Sequence, residues 1–336
     1  MKRVVTFGEL LLSLSSKSQQ RLVQAEEFVA RYTGAEANVA VSLAHLGFEA
    51  FAVSKVPAHE IGQACVNALR RYGVRTEYIV RGGDRLGLLY MEPGASDRPT
   101  KVIYDRSPSS IRQLRPGELE WDAILAGKDW FHFSGTAPAL GNEVIEVLTA
   151  GLASARRLGV TVSCDCNYRS KLWTMEEAGR ALTQLAPYAN VVICGKDDPQ
   201  RLFGLAPDRE GLPQAEHEQH MAELLRRRFN LDCVAMTFRE MISASVNGWS
   251  AMLCRQDGCC RSRHYNLQII DRVGGGDAFA AGLIFGLASE YPPQQAIDFA
   301  AAAACLKHSI PGDFNLVSRE EVEQLLSGGQ SGRVQR

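Results

Sequence analysis

The sequence has almost no net charge and no long apolar run, and both shortages exclude classes of partner. Lys and Arg total 37 against 38 Asp and Glu, which gives a formal net charge of -1. Such a balance leaves no broad basic field for nucleic acid or an anionic membrane. No stretch approaches the roughly 20 apolar residues that span a bilayer. We therefore expect no nucleic acid and no membrane as partners, and a small molecule is favoured.

Features of a secreted protein are also missing. An apolar run follows Met1-Lys2-Arg3, but Glu9 interrupts it and no small-residue cleavage site follows, so a first buried strand is the better interpretation. The nine cysteines mostly stand singly in apolar segments of a 336-residue chain that can build a core without disulfides. The sequence predicts a cytoplasmic protein with reduced thiols.

No metal site is predicted. The cysteines at 164, 166, 259 and 260 lack the spaced second pair of a structural zinc site. His217 and His220 are three residues apart, whereas the helical zinc-protease motif places its histidines four apart.

Short β-rich runs alternate with helical patterns along most of the chain. Strand patterns at Val4 to Phe7 and Ala50 to Val53 are followed by helical patterns at Ala35 to Leu46 and Ile61 to Arg71. Repeated strand-then-helix order predicts an α/β fold, with a mostly parallel sheet and helices on both of its faces.

Two segments interrupt this alternation with short strands and turns. They cover residues 11–32 and 78–115, and together they predict a small β-sheet lid over an edge of the main sheet. The α/β core would then comprise residues 1–10, 33–77 and 116–326. Residues 327–336 are expected to form a disordered tail.

The most informative motif is Asp271-Arg272-Val273-Gly274-Gly275-Gly276-Asp277, between an apolar strand pattern and a helical run. Three glycines before a helix allow several backbone N–H groups to point at one anion, and the helix dipole adds to that attraction. Asp277 could accept a proton beside this anion. A simple turn with Asp277 as helix cap is the alternative. The P-loop and Rossmann glycine spacings are both absent.

A second motif, Gly34-Ala35-Glu36-Ala37-Asn38, opens the helical pattern that ends near Leu46. Small residues allow a ligand to approach the backbone, and the Asn38 amide can both donate to and accept from sugar hydroxyls. Capping and packing are the alternative explanation.

Together, the two motifs resemble the two signature regions of the PfkB carbohydrate kinases, and the resemblance covers about residues 2 to 325. It implies a ribokinase-like sheet with a β-lid, a sugar between lid and sheet, ATP along the glycine turn, and Mg²⁺ as cofactor. It also implies that Asp277 is the catalytic base, that Gly274, Gly275 and Gly276 line the anion hole, and that the chain forms a homo-oligomer through the lid.

A narrower resemblance comes from Leu306 to Asn315, which is similar to the C-terminal signature of 2-keto-3-deoxygluconate kinases. It implies a sugar-acid substrate, whose carboxylate suits the two-pronged donor of arginine. The substrate-binding residues implied are Gly34, Ala35, Asn38, Tyr90, Tyr104, Arg106, Asn167, Arg169 and Asp313.

The nucleotide side departs from the family pattern. Arg272 follows Asp271 where Thr is usual, Lys196 to Asp198 replace an Asn-Glu-Glu segment, and Thr237 to Glu240 replace a glycine-rich loop. Ser13 stands where many relatives have Asp, which argues against ribokinase-type or fructokinase-type recognition. The ATP-binding residues implied are Lys196, Thr237, Arg239, Gly274, Gly276 and His308.

The function expected is ATP-dependent phosphorylation of the 6-hydroxyl of 2-keto-3-deoxygluconate. A kinase for another keto-deoxy acid or a ketohexose is one alternative. A sugar-acid-binding relative that has lost catalysis is the other, although the intact Asp277 speaks against it.

Overall fold

Two sheets organise the fold in the computed structural model, which describes residues 1–209 and 211–328. The expected tail falls largely on residues 329–336, outside the described part. The strands are β1 (Arg3–Phe7), β2 (Leu11–Ser16), β3 (Phe28–Thr33), β4 (Glu49–Val56), β5 (Ile79–Arg81), β6 (Gly87–Glu92), β7 (Lys101–Asp105), β8 (Trp130–Ser134), β9 (Thr161–Asp165), β10 (Val191–Gly195), β11 (Cys233–Met241), β12 (Val246–Arg255), β13 (Gly258–Arg261) and β14 (Tyr265–Gln268).

The large sheet has ten strands in the order β13-β12-β11-β10-β9-β8-β1-β4-β5, with β14 also paired to β12. Strands β11 to β5 of this order are mutually parallel, while β12, β13 and β14 add antiparallel pairs at one edge. Nearly continuous apolar sequences, such as Val-Val-Ile-Cys in β10, suit strands buried on both faces. The mostly parallel sheet is confirmed.

Helices cover both faces, so each face has its own apolar core. One core contains side chains of α1, α2, α8, α9 and α10, and the other contains those of α3, α4, α5 and α7. The helices are α1 (Ala35–His45), α2 (Glu60–Arg71), α3 (Trp121–Leu125), α4 (Asn142–Leu158), α5 (Met175–Leu185), α6 (Asp198–Arg201), α7 (Gln214–Phe229), α8 (Gly275–Ala288), α9 (Pro293–Lys307) and α10 (Arg319–Leu326).

The second sheet has four strands in the order β3-β2-β6-β7, and we call it the lid sheet. The two β-rich insertions supply its strands. Its second segment starts after Arg81, because β5 pairs with β4 of the large sheet, with Ile79 opposite Ser54. Residues 79–81 therefore lie in the large sheet, although the sequence assigned them to the lid.

The expectation of reduced thiols is wrong at one pair. Cys254 on β12 and Cys259 on β13 are opposite each other across a hairpin and form a disulfide, with Cα atoms 4.1 Å apart. Directly opposed residues of an antiparallel pair place their Cβ atoms close enough for such a bond. The other seven cysteines are free, and five of them are buried.

Candidate active site

A cavity of about 920 Å³ lies between the lid sheet and the carboxyl ends of the parallel strands. Ligands of open α/β sheets bind at these strand ends, because the loops that follow them can diverge there. Glu9 follows β1, Asp165 ends β9 and Lys196 follows β10, and all three line the cavity. The lid contributes Tyr104 and Arg106 from the opposite side.

The glycine turn lies at the floor of the cavity, where α8 begins. Gly274 has φ +79°, and a Cβ there would lie 2.1 Å from the Asp313 carbonyl oxygen, so only glycine fits. A Cβ on Gly275 would lie 2.5 Å from the His308 ring. A Cβ on Gly276 would meet no atom within 4 Å. The turn therefore packs on protein below and leaves open space above Gly276.

Asp277 lies in the first turn of α8 and is partly buried. Asn38 Nδ2 donates to its Oδ2 at 2.7 Å, and Thr33 Oγ1 donates to Asn38 Oδ1 at 3.2 Å. Desolvation raises the pKa of Asp277 to about 6, although the Asn38 bond and the charge of Arg169 oppose this rise. The carboxyl group can therefore exchange a proton near neutral pH.

The part of the cavity under the lid, which we call the acceptor half, contains paired polar groups. Arg106 Nε donates to the buried Glu9 at 2.8 Å, and Ser109 Oγ donates to the other Glu9 oxygen at 2.5 Å. Gly34 approaches the same segment, since a Cβ there would lie 2.2 Å from the Glu9 carbonyl oxygen. The acceptor half also contains Ala35, Asn38, Tyr104 and Asp313.

The loop after β9 adds a third group of polar side chains. Asn167 adopts φ +37°, and its N–H donates to Asp165 Oδ1 at 3.0 Å. Desolvation, and then the charge of Asp277, raise the pKa of Asp165 to about 8. Arg169 is exposed, lines the cavity, and lowers the pKa of both aspartates. This positive charge is available to an acidic ligand.

The opposite end of the cavity, which we call the donor half, contains Lys196, Thr237, Arg239 and Arg272 together with the glycine turn. The Arg239 guanidinium lies 5.2 Å from the Trp249 ring centroid. Desolvation and the nearby charges of Arg272 and Arg169 lower the pKa of Arg239. Converging cations of this kind are suited to a polyphosphate.

Two residues implied by the resemblance do not line the cavity. Tyr90 faces the other side of the lid sheet, where its ring lies 6.0 Å from that of Phe28, because Leu89 and Met91 take the cavity face of β6. His308 is buried below the turn, and its Nδ1 bonds the Ala304 carbonyl at 2.6 Å. Both residues therefore support the cavity wall from behind.

Sequence reasoning missed Glu9, Asp165 and Lys307. Glu9 and Asp165 carried a signal, because each is an acidic residue at the carboxyl end of an apolar strand pattern. Lys307 carried none, since a lysine at a helix end is ordinarily exposed. Its burial depends on distant segments.

Within residues 1–209 and 211–328, no group of three or more His, Cys, Asp or Glu side chains could hold a metal ion. The carboxyl groups that line the cavity instead fit Mg²⁺ that arrives with a nucleotide, because Mg²⁺ is usually held by one or two carboxylates plus phosphates and water. In the same part of the chain, no helix is long and apolar enough to cross a membrane.

The chain is similar over nearly its whole length to several known sugar kinases. The chain is 45% identical to 2-dehydro-3-deoxygluconokinase of Thermotoga maritima, whose crystal structure superposes with a TM-score of 0.94 and 97% and 98% coverage of the two chains. It is 34% identical to 2-dehydro-3-deoxygalactonokinase of Haloferax volcanii, covering 98% of both. It is 27% identical to 2-dehydro-3-deoxygluconokinase of Bacillus subtilis, covering 96% and 95%.

The family model described as pfkB family carbohydrate kinase matches residues 1–316. This match spans both sequence motifs, the lid sheet and the glycine turn. The chain therefore belongs to the pfkB family of carbohydrate kinases.

Proposed function

We propose that this sugar kinase transfers the γ-phosphoryl group of ATP to the 6-hydroxyl of 2-keto-3-deoxygluconate, the compound also called 2-dehydro-3-deoxygluconate. The observation that carries the proposal is the position of Asp277, with a pKa near 6, between the polar acceptor half and the cationic donor half. The names of the Thermotoga and Bacillus relatives support the choice of sugar acid.

Asp277 acts as the general base in this proposal. The sugar hydroxyl gives its proton to the carboxylate as the oxygen attacks the γ-phosphorus, and the bond to the β,γ-bridging oxygen breaks. Asn38 fixes the orientation of the carboxylate through its 2.7 Å hydrogen bond. Positioning of this kind supplies much of the rate of a phosphoryl transfer.

The glycine turn and the donor half stabilise the transferring phosphoryl group. The amides of Gly274, Gly275 and Gly276 lie at the positive end of the α8 dipole, and Arg239 and Arg272 add full charges. Mg²⁺ bound to the nucleotide phosphates would add charge neutralisation, and Asp165 and Asp198 are the cavity carboxyls that would hold its water ligands.

The acid end of the sugar meets two arginines of different kinds. Arg106 is already bonded to Glu9, whereas Arg169 has no ion pair within 4.0 Å among the described residues. A new carboxylate gains more from an unpaired guanidinium, so Arg169 supplies the main charge contact and Arg106 supplies oriented donors.

The test compares one variant on two substrates. Arg169→Ala should lower kcat/KM for 2-keto-3-deoxygluconate by roughly 10- to 100-fold, the usual effect of losing a charge-assisted contact, and leave an uncharged ketohexose nearly unaffected. Coupled ADP release measures both. An equal loss on the two sugars would contradict the sugar-acid assignment, and so would no loss on either.

The 4-epimer, 2-keto-3-deoxygalactonate, is the second candidate substrate, because the Haloferax relative is named for it. The same assay with both epimers gives a specificity ratio. If kcat/KM is higher for the galacto epimer, 2-keto-3-deoxygalactonate is the substrate, and the proposed mechanism is unchanged.

The chain also has a candidate surface for self-association. The outer face of the lid sheet presents Leu14, Leu88, Tyr90 and Ile103, and Ile103 is 45% exposed. We propose a homo-oligomer through this face, in the cytoplasm where ATP is available. Light scattering after size exclusion should give more than one chain for the wild type and a smaller species for Ile103→Glu.

A further inference from the structure

Lys307 is a lysine with no solvent exposure at the end of α9, below the glycine turn. Its Nζ donates to the Ile310 carbonyl oxygen at 3.0 Å. A Cβ placed on Gly274 would lie 3.3 Å from its Cε, so the side chain contacts the underside of the turn. A fully buried ammonium group is costly unless nearby charges compensate it.

The surroundings of Lys307 supply that compensation. Asp271, Asp313 and Asp277 all act on its charge, and desolvation lowers its pKa against their opposing effect. Asp271 is itself held in place, since Gly312 N donates to its Oδ2 at 2.8 Å and Val273 N to its Oδ1 at 3.1 Å. Lys307 is therefore enclosed by two segments, residues 271–277 and 307–313.

These two segments form the floor of the cavity. Ile270 N donates to the His308 carbonyl at 2.9 Å, and the Asp313 carbonyl lies under Gly274. Between them they hold three carboxyl groups, and a phosphate adds further negative charge. An internal cation between the segments would keep them together when that charge arrives.

We propose that the Lys307 ammonium is a fixed internal cation that positions the glycine turn and Asp277 for phosphoryl transfer. Lys307 lies outside the cavity wall, so it acts through the turn and is a positioning residue. The proposal rests on the kinase function proposed above.

The test replaces the charge and keeps the shape. Lys307→Met should lower kcat by roughly 10- to 100-fold, as loss of a supporting group at a metal site does. Its Tm should fall, because removing one partner from a buried charge cluster leaves Asp271 and Asp313 without compensation. A purely structural role would lower Tm in the same way but leave the kcat of the folded variant close to wild type.

The pH profile gives a second readout. The charge of Lys307 lowers the pKa of Asp277, so its removal should raise that pKa and move the acidic limb of kcat to higher pH. The other titratable and charged groups that interact with Asp277 stay in place in the variant: Glu36 of α1, Asp165 at the end of β9, Arg169 in the loop after β9, and Asp313.

Lys55→Met is the matched control, because Lys55 is also buried and donates to Glu118 and the Gln113 carbonyl away from the cavity. We expect it to lower Tm and leave the acidic limb unchanged. The proposal is overturned if Lys307→Met keeps the kcat and the acidic limb of wild type. It is also overturned if the pH profile of Lys307→Met resembles that of Lys55→Met.

If Lys307→Met does not fold, Lys307→Gln is measured in the same way. Failure of both variants to fold also overturns the proposal, because the role of Lys307 would then be structural. Assays use whichever sugar the wild type phosphorylates. A wrong substrate therefore shows in the wild type, whereas a wrong role for Lys307 shows only in the variants.

Discussion

The two halves of the cavity differ in how their charges are satisfied. In the acceptor half, Arg106 is bonded to Glu9, and Asn38 is bonded to Asp277. In the donor half, Lys196, Arg239 and Arg272 form no ion pair within 4.0 Å among the described residues. Apart from Arg169, whose charge is left for the sugar acid, the acceptor half is therefore pre-organised before a ligand binds, while the donor half depends on the ligand to balance its charge.

The largest expected effect comes from a change at Asp277, which lies between the two halves. Asp277→Asn should reduce kcat by about 10² to 10⁴, because it removes the proton acceptor while Asn keeps the shape. Sugar affinity, measured by calorimetry, should change little. Asp257→Asn in the exposed β12–β13 turn is the control, and near-wild-type kcat in Asp277→Asn would refute the base assignment.

In the donor half, Arg239→Met should raise the KM for ATP by roughly 10- to 100-fold and leave the KM for the sugar almost unchanged. The fold should tolerate the change, since no carboxylate loses its partner. Initial rates with each substrate varied in turn give both constants. A larger effect on the sugar would remove the distinction between the halves.

In the acceptor half, Glu9→Gln should affect the KM for the sugar instead of the KM for ATP. It leaves Arg106 buried without a counter-charge, so Tm should fall and the KM for the sugar should rise by about 10-fold, with the KM for ATP unchanged. The double variant Glu9→Met/Arg106→Met should recover Tm and keep the high KM. If the double variant recovers both, the pair does not contact the sugar.

The smallest effect expected is one on stability. The pKa of Asp165 is near 8 in the folded chain and 3.8 in its ordinary state, so the folded state binds the proton more tightly and loses stability as pH rises from about 4 to about 8. Asp165→Asn should therefore raise the free energy of unfolding by at least about 1 kcal/mol more at pH 8.5 than at pH 5. Urea melts at both pH values measure it, and an equal change at both would contradict the raised pKa.

The same variant sharpens the comparison between the halves. Asp277 loses its proton first, and its charge then helps to raise the pKa of Asp165 to about 8. Asp165 is therefore neutral near pH 6, so Asp165→Asn should leave the acidic limb of kcat, expected there in the wild type, in place. A limb that moves to lower pH would show that Asp165 already carries charge when Asp277 titrates.

Local sequence patterns determined the α/β order, the two β-rich insertions and the glycine turn before α8. Each of these depends on neighbours within a few residues: hydrophobic periodicity for strands and helices, and the backbone freedom of Gly274 for the turn. The observed α1, Ala35–His45, lies within one residue of its predicted end for the same reason.

Only the tertiary structure decided which side chains meet. The strand pattern of β6 is visible in the sequence, but the sequence does not show which face of β6 lines the cavity. The pairing within the lid sheet places Leu89 and Met91 on the cavity face and Tyr90 on the other face. Glu9 and Arg106 are 97 residues apart, and Cys254 meets Cys259 because a hairpin aligns them. The burial of a charged side chain is set by segments distant in sequence, so the chain order alone does not reveal these contacts.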